Sequence, residues 1–172
     1  MTASSRKTVG FVIIFALAAM AQFGVLLATP MRPLVDRFSG DLAAVSSWLI
    51  HGAGGTCLRQ AAILSNPARN FAMEVRDGCN GINVVVLLWS AILAYPASLK
   101  WKLIGLTGGL AAIQLVNLFR LISLFYLGQY SPKLFQFAHL YLWESLIIID
   151  GMVIFSLWIQ RASQRSAPTR LF

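Results

Sequence analysis

Charge is what this sequence lacks most. Only 12% of its 172 residues are charged, while 58% are apolar and the mean hydropathy is +0.70. The charged share is about half that of a soluble domain. Too few polar residues remain to clothe a water-soluble surface, so lipid is the natural solvent. Acidic groups are scarcest, six against fourteen basic ones, for a net charge of +8. A nucleic-acid partner would need those cations on one soluble face, whereas most flank apolar stretches. Cysteine and histidine are also rare, two of each, and no CxxC pair exists. A structural metal site is therefore poorly supported, and nothing calls for a cofactor. There is no internal repeat and no low-complexity tract.

What the chain has is long apolar runs. Four are long enough to span a bilayer at about 1.5 Å per residue: about 9–28, 80–97, 103–127 and 139–159. The first follows Arg6 and Lys7 like a signal peptide, but is too long for a typical h-region and reads as a retained helix. The expected fold is a single all-α polytopic membrane domain over 1–172. Arg6 and Lys7, Lys100 and Lys102, and Arg161, Arg165 and Arg170 then share one side. The positive-inside rule makes that side cytoplasmic. The chain would sit in the bacterial inner membrane, with the loop of about 30–78 outside.

That loop mixes five arginines with four acidic residues. Leu34, Phe38, Leu42, Val45 and Leu49 recur at near-helical spacing, which predicts an amphipathic helix lying in the interface. A fifth span is the alternative, but the apolar stretch is too short and the charge asymmetry would invert. Farther on, Phe71, Met73 and Val75 alternate with Ala72, Glu74 and Arg76. With a turn at Ser65-Asn66-Pro67, this predicts a short β-hairpin of Cys57–Leu64 and Arg69–Arg76.

Polar groups in or beside such helices need a reason. Cys79 stands at the expected start of the second span, where free N–H groups and the helix dipole favour a thiolate. Its bland alternatives are a small buried hydrophobe or a disulfide partner. The hairpin places Cys57 opposite Arg76, near Cys79, so a bridge is geometrically possible on an oxidising side. The free thiol is preferred because the surrounding residues specify a thiolate site. Arg120 lies inside the third span, below its outer end, and forms a polar stripe with Asn117 and Gln114. A snorkelling arginine with interhelical hydrogen bonds is the alternative. His139 opens the fourth span on the same side. A thiol, a cation and a base titrating near neutrality are the parts of a cysteine-nucleophile site. Glu144 is near Arg120 in depth and could pair with it from a neighbouring helix, but lies about 140° from His139 on an α-helix. Asp150 lies on His139's face near mid-membrane, and neither acid is assigned. His51 reads as interfacial.

The run MEVRDGCNGIN from Met73 to Asn83 resembles the cysteine motif of the exosortase/archaeosortase family. Asn117-Leu-Phe-Arg120 resembles its arginine motif, and Phe137-Ala-His139 its histidine motif. The likeness covers about residues 57–160, and the short length resembles the exosortase H branch. The resemblance implies a membrane cysteine protease or transpeptidase with Cys79, Arg120 and His139 catalytic. Asn80, Gly81, Asn117 and Glu144 are the candidate substrate-binding or auxiliary residues. It implies exported substrates ending in a short motif, a transmembrane helix and a basic cluster. The acceptor is left open among water, a lipid amine and a polymer amine. Many members carry further N-terminal helices, so this site is expected to close with about four helices or by homo-oligomerisation. Two rivals remain. One is a small transporter or channel subunit using Arg120 and Asp150. The other is a non-catalytic assembly protein for an envelope polysaccharide.

Overall fold

The computed structural model describes residues 3–166; Arg170, counted above among the anchoring cations, lies outside them. The long apolar runs become helices, and only the second, which holds Pro96, has a proline inside it. Helix α1 is Ala3–Leu27, and α2 is Arg32–Gly52. Strands β1 (Leu58–Gln60), β2 (Ile63–Asn66) and β3 (Phe71–Glu74) follow. Then come α3 (Ile82–Ala94), α4 (Leu99–Tyr130), α5 (Pro132–Phe137), a π-helical turn (Ala138–Leu142) and α6 (Trp143–Ser166). This is an all-α polytopic membrane fold carrying one small sheet.

Three segments are long and apolar enough to cross a bilayer: Thr8–Leu27, Leu99–Tyr130 and Pro132–Gln164. The expected second span, 80–97, contains only the 13 residues of α3. At 1.5 Å per residue that is about 20 Å, short of the ~30 Å hydrocarbon core. The full-length count is therefore about three rather than four. Pro96 is the cause: the residue before a proline is driven out of the helical region, and Tyr95 is extended at φ −76°, ψ 134°. Helix α3 still returns the chain to the end where α4 begins. Lys102 Nζ donates to the Leu93 carbonyl at 2.7 Å, and the Tyr95 hydroxyl lies 2.7 Å from Ser163 Oγ. Lys100, Lys102 and α6's last turns thus share one end.

Helices α3, α4 and α6 form the bundle. Close approach is possible because α4 presents Gly105 to the Trp158 indole and Gly109 to Leu88, a spacing that lets helices pack tightly in lipid. Trp158 Nε1 then donates to the Trp101 carbonyl at 2.8 Å. Val85, Leu88, Ile92 and Ile113 complete this lower core. A second core at the opposite end joins α2, the sheet and the last turns of α4 through Leu42, Leu64, Val75, Leu121, Leu124 and Phe125.

Helix α2 is amphipathic as expected, and packs inward through a face rich in small residues. Its buried face is Ser39, Leu42, Ala43, Ser46, Ser47 and Ile50, while Leu34, Val45, Trp48 and Leu49 are exposed. The small residues pack inward because they permit close contact. Most of the apolar stripe is left facing outward, as a helix lying on a membrane would have it.

The expected hairpin is a three-stranded antiparallel sheet in the order β1-β2-β3. The segment taken as one strand turns back on itself at Ala61, which adopts φ +52°, so that Arg59 pairs with Leu64. Leu64 in turn pairs with Met73. Cys57 therefore precedes the edge strand away from β3 and does not lie opposite Arg76. Both cysteines are free thiols. Phe71 seats the sheet on α4, its ring filling the space above Gly128. It meets Phe125 and Phe135 edge to face, with centroids 6.0 and 5.7 Å away.

Candidate active site

The sheet hands the chain to a short turn. Val75 N–H donates to the Ala62 carbonyl, extending the β2–β3 ladder, and Cys79 N–H donates to the Arg76 carbonyl. Gly78 (φ +86°) and Gly81 (φ +74°) take left-handed conformations that suit glycine. Gly81 also has Gln114 and Asn117 against it, where a side chain would crowd both.

Asn80, 1% exposed, fixes this turn. Its Oδ1 accepts from Ile82 N–H at 3.1 Å. Its Nδ2 donates to Ser39 Oγ at 3.3 Å and to Asp77 Oδ1 at 3.2 Å. Its carbonyl accepts from Gln114 Nε2 at 3.1 Å. One side chain and its peptide thus tie the turn to α2, α3 and α4. Gln114, Asn117 and Arg120, spaced by three, meet successive parts of the turn.

Cys79 is not at the first turn of α3, as expected, but three residues before Ile82, whose N–H is already capped by Asn80. The thiol is 8% exposed. Burial pushes its pKa up, the Arg120 charge pulls it down, and the Glu144 charge raises it. The net shift is upward, so the resting group is a thiol rather than the thiolate expected from a helix start. A base is needed, and His139 stands there. Cys79 Sγ lies 3.7 Å from its Nδ1 and 3.8 Å from its Nε2. The imidazole stacks on Phe135, centroids 5.7 Å apart at 21°.

Arg120 is 1% exposed. Its Nη1 donates to the Gly78 carbonyl at 3.2 Å, and its Nη2 is 3.7 Å from Glu144 Oε2. Its Nε and Nη2 have no hydrogen-bond partner among the described residues. A buried guanidinium with idle donors is costly, and here they sit at the thiol's turn. Asn117 is fully buried, with its Oδ1 also unpartnered.

Glu144 reaches this group because of the π-helical turn at Ala138–Leu142. Its i→i+5 pattern turns the chain less per residue than an α-helix does, so the roughly 140° separation from His139 expected of α-helical geometry does not hold. Asp150, six residues after Glu144, is about 120° round α6 and roughly 9 Å along it, and it is not brought to Arg120. His51 is exposed and turned to its own helix, with Nδ1 2.8 Å from the Ser47 carbonyl. No group of three or more His, Cys, Asp or Glu among the described residues could hold a metal ion. Sequence reasoning missed Ser39 and Asp77. Asp77 was visible beside Cys79; Ser39 was hidden on the face of α2 assumed to be solvated.

The fold and this cluster define a multi-pass membrane protein with a buried thiol, an imidazole and an arginine drawn from three separated segments. Residues 3–160 match the transmembrane exosortase (EpsH) family, and the chain belongs to it. Neither a curated protein nor a solved structure matches the chain.

Proposed function

We propose that this protein is a membrane-embedded cysteine protease or transpeptidase that cleaves the C-terminal sorting signals of exported proteins. The work would be done at the outer face of the bacterial inner membrane. The observation that carries this reading is the 3.7 Å approach of Cys79 Sγ to His139 Nδ1 beside the unpartnered donors of Arg120.

In this mechanism His139 takes the thiol proton as Sγ attacks the scissile carbonyl carbon. The carbonyl oxygen gains charge, and Arg120 Nε and Nη2 donate to it, an oxyanion role for which their lack of a hydrogen-bond partner among the described residues suits them. Collapse of the tetrahedral intermediate breaks the C–N bond. His139 returns the proton to the departing amine, and the upstream protein is left as a thioester on Cys79. Water or an acceptor amine then attacks the thioester and frees the thiol. Asn80 holds the nucleophile's turn, with Gly81 and Asn117 against it, and Glu144 orients Arg120.

Orientation is argued from charge. Lys100, Lys102 and Arg161 gather at the end opposite the sheet, and cations mark the cytoplasmic side. Cys79 and the sheet then face outward. The test is co-expression with an exported protein bearing a motif, a transmembrane helix and a basic tail. Wild-type protein should shorten that partner, and Cys79→Ala should leave it at full length. Shortening by the alanine variant would refute the cysteine mechanism.

A further inference from the structure

The thiol has little open approach. The sheet and α2 roof its turn from one side, where Leu64, Met73 and Val75 are buried. Gln114 and Asn117 close it from α4. Across the bundle from the turn stands Glu144, whose side chain is 58% exposed. Below Glu144 a groove of about 190 Å³ runs between α3 and α6. Val84, Leu87 and Ala91 form one wall, and Ile148, Gly151 and Met152 the other. Phe15 of α1 borders it.

The α6 wall is in phase with the site. Ile148, Gly151 and Met152 follow Glu144 by four, seven and eight residues, the spacing of one helical face. The groove therefore ends upward at the carboxylate beside Arg120. Leu87, Ile148 and Met152 are 41%, 51% and 60% exposed. Gly151 brings the two helices close, since a Cβ there would come 3.1 Å from Val84 Cγ1.

We infer that the α3/α6 groove holds the transmembrane helix of the sorting signal, the part of the substrate that leaves as the amine. This rests on the proposed cleavage reaction and adds where the leaving segment lies. A chain segment in a lipid-facing apolar groove must satisfy its own backbone groups, which an apolar helix does. Ala91, small and half-buried on the α3 wall, gives such a helix a place to approach. Charge supplies the direction. Cleavage creates a new amino terminus on the departing helix, and the exposed Glu144 carboxylate stands at the top of the groove to receive that ammonium. A larger apolar hollow of about 460 Å³, between α1, α2, α3 and α4, touches the far side of the turn at Ile82 and Gln114. Gln114 there is engaged with the Asn80 carbonyl, so that hollow does not lead to the sulfur.

The experiment places a photo-reactive phenylalanine analogue at Leu87 or Met152 in the Cys79→Ala protein, which retains uncleaved substrate in the membrane. Irradiation should join each position to the substrate's tail helix. The same analogue at Leu115, exposed on α4, should give no adduct. In the otherwise wild-type protein, Leu87→Trp and Met152→Trp fill the groove from its exposed rim without entering the helix contact. Each should slow processing about tenfold or more while leaving the alkylation rate of Cys79 unchanged. Adducts from Leu115 instead, adducts to lipid alone, or full-rate processing by both tryptophan variants would overturn the groove assignment. Those outcomes leave cleavage by wild-type protein intact. Absence of cleavage by wild-type protein refutes the proposed reaction itself, and the groove's occupant with it.

Discussion

Arg120 reaches across from α4 to hold the carbonyl oxygen of Gly78 at 3.2 Å, one residue before the thiol. The cation is thus tied to the backbone of the nucleophile's own turn. Arg120→Lys should abolish or nearly abolish processing, a loss on the order of a hundredfold or more, while the protein stays in the membrane. Lysine keeps the charge but cannot grip Gly78 and a substrate oxygen with separate donors of one planar fork. Processing rates beside immunoblots of the membrane fraction decide it; near-normal processing would reduce Arg120 to a point charge.

Cys79 reactivity should rise with pH through a midpoint above that of an ordinary thiol, about 8.5. The sign follows from burial, which raises the pKa and outweighs the opposing pull of Arg120. Glu144→Gln removes a charge that also raises it, so the midpoint should move down. Arg120→Gln removes the charge that lowers it, so the midpoint should move up. Alkylation rates across pH, with Cys57 replaced by serine, give all three midpoints. A midpoint below about 8.5 would refute the upward shift, and only one below about 7 would make the resting group a thiolate.

Cys57 and Cys79 are buried in the same core, and neither is bridged. Cys57→Ser should therefore retain processing, whereas Cys79→Ser should lose it. Equal loss in both, with an intact mass two units below that of the fully reduced chain, would reveal a structural disulfide.

Gly128→Val should loosen the sheet from α4. The Phe71 ring fills the space above that glycine, so added methyls force it aside, at a cost of about 1–3 kcal/mol. Faster proteolysis within Leu58–Glu74 is the expected sign. Unchanged protease resistance would mean the sheet is held elsewhere.

An external thiol reagent that cannot cross the membrane should label Cys79 in intact spheroplasts. Labelling that appears only after permeabilisation would invert the orientation argued from Lys100, Lys102 and Arg161.

The residues that stand together at the candidate site were legible because each was out of place. Arg120 in an apolar helix and Cys79 between two glycines are expensive or unusual choices. The Gln114–Asn117–Arg120 stripe reads directly from helical spacing. The pairing of Glu144 with Arg120 was legible from their shared depth, whereas its angle to His139 was not, since a single wide turn is invisible to a 100° periodicity. The short α3 followed from Pro96, a signal outweighed by the apolar run around it. Ala61 carries no turn chemistry in its side chain, so the β1–β2 reversal was hidden. The thiol's upward pKa depends on burial under the sheet, a tertiary fact that local helix-start reasoning cannot supply.

The length of α4 gives the membrane itself a say in the chemistry. Eighteen residues separate Lys102 from Arg120, about 27 Å of helix, and ten more carry the sheet beyond. That distance nearly equals an average hydrocarbon thickness of about 30 Å, and real membranes differ from the average by a few ångströms. In a thin bilayer the thiol would stand among wet headgroups, where hydrolysis has a ready nucleophile. In a thick one the same atoms would sink beneath the acyl boundary, where water is scarce and a lipid-borne amine is near. In the proposed reaction, hydrophobic mismatch would thereby bias which nucleophile resolves the thioester, with no residue of the site altered.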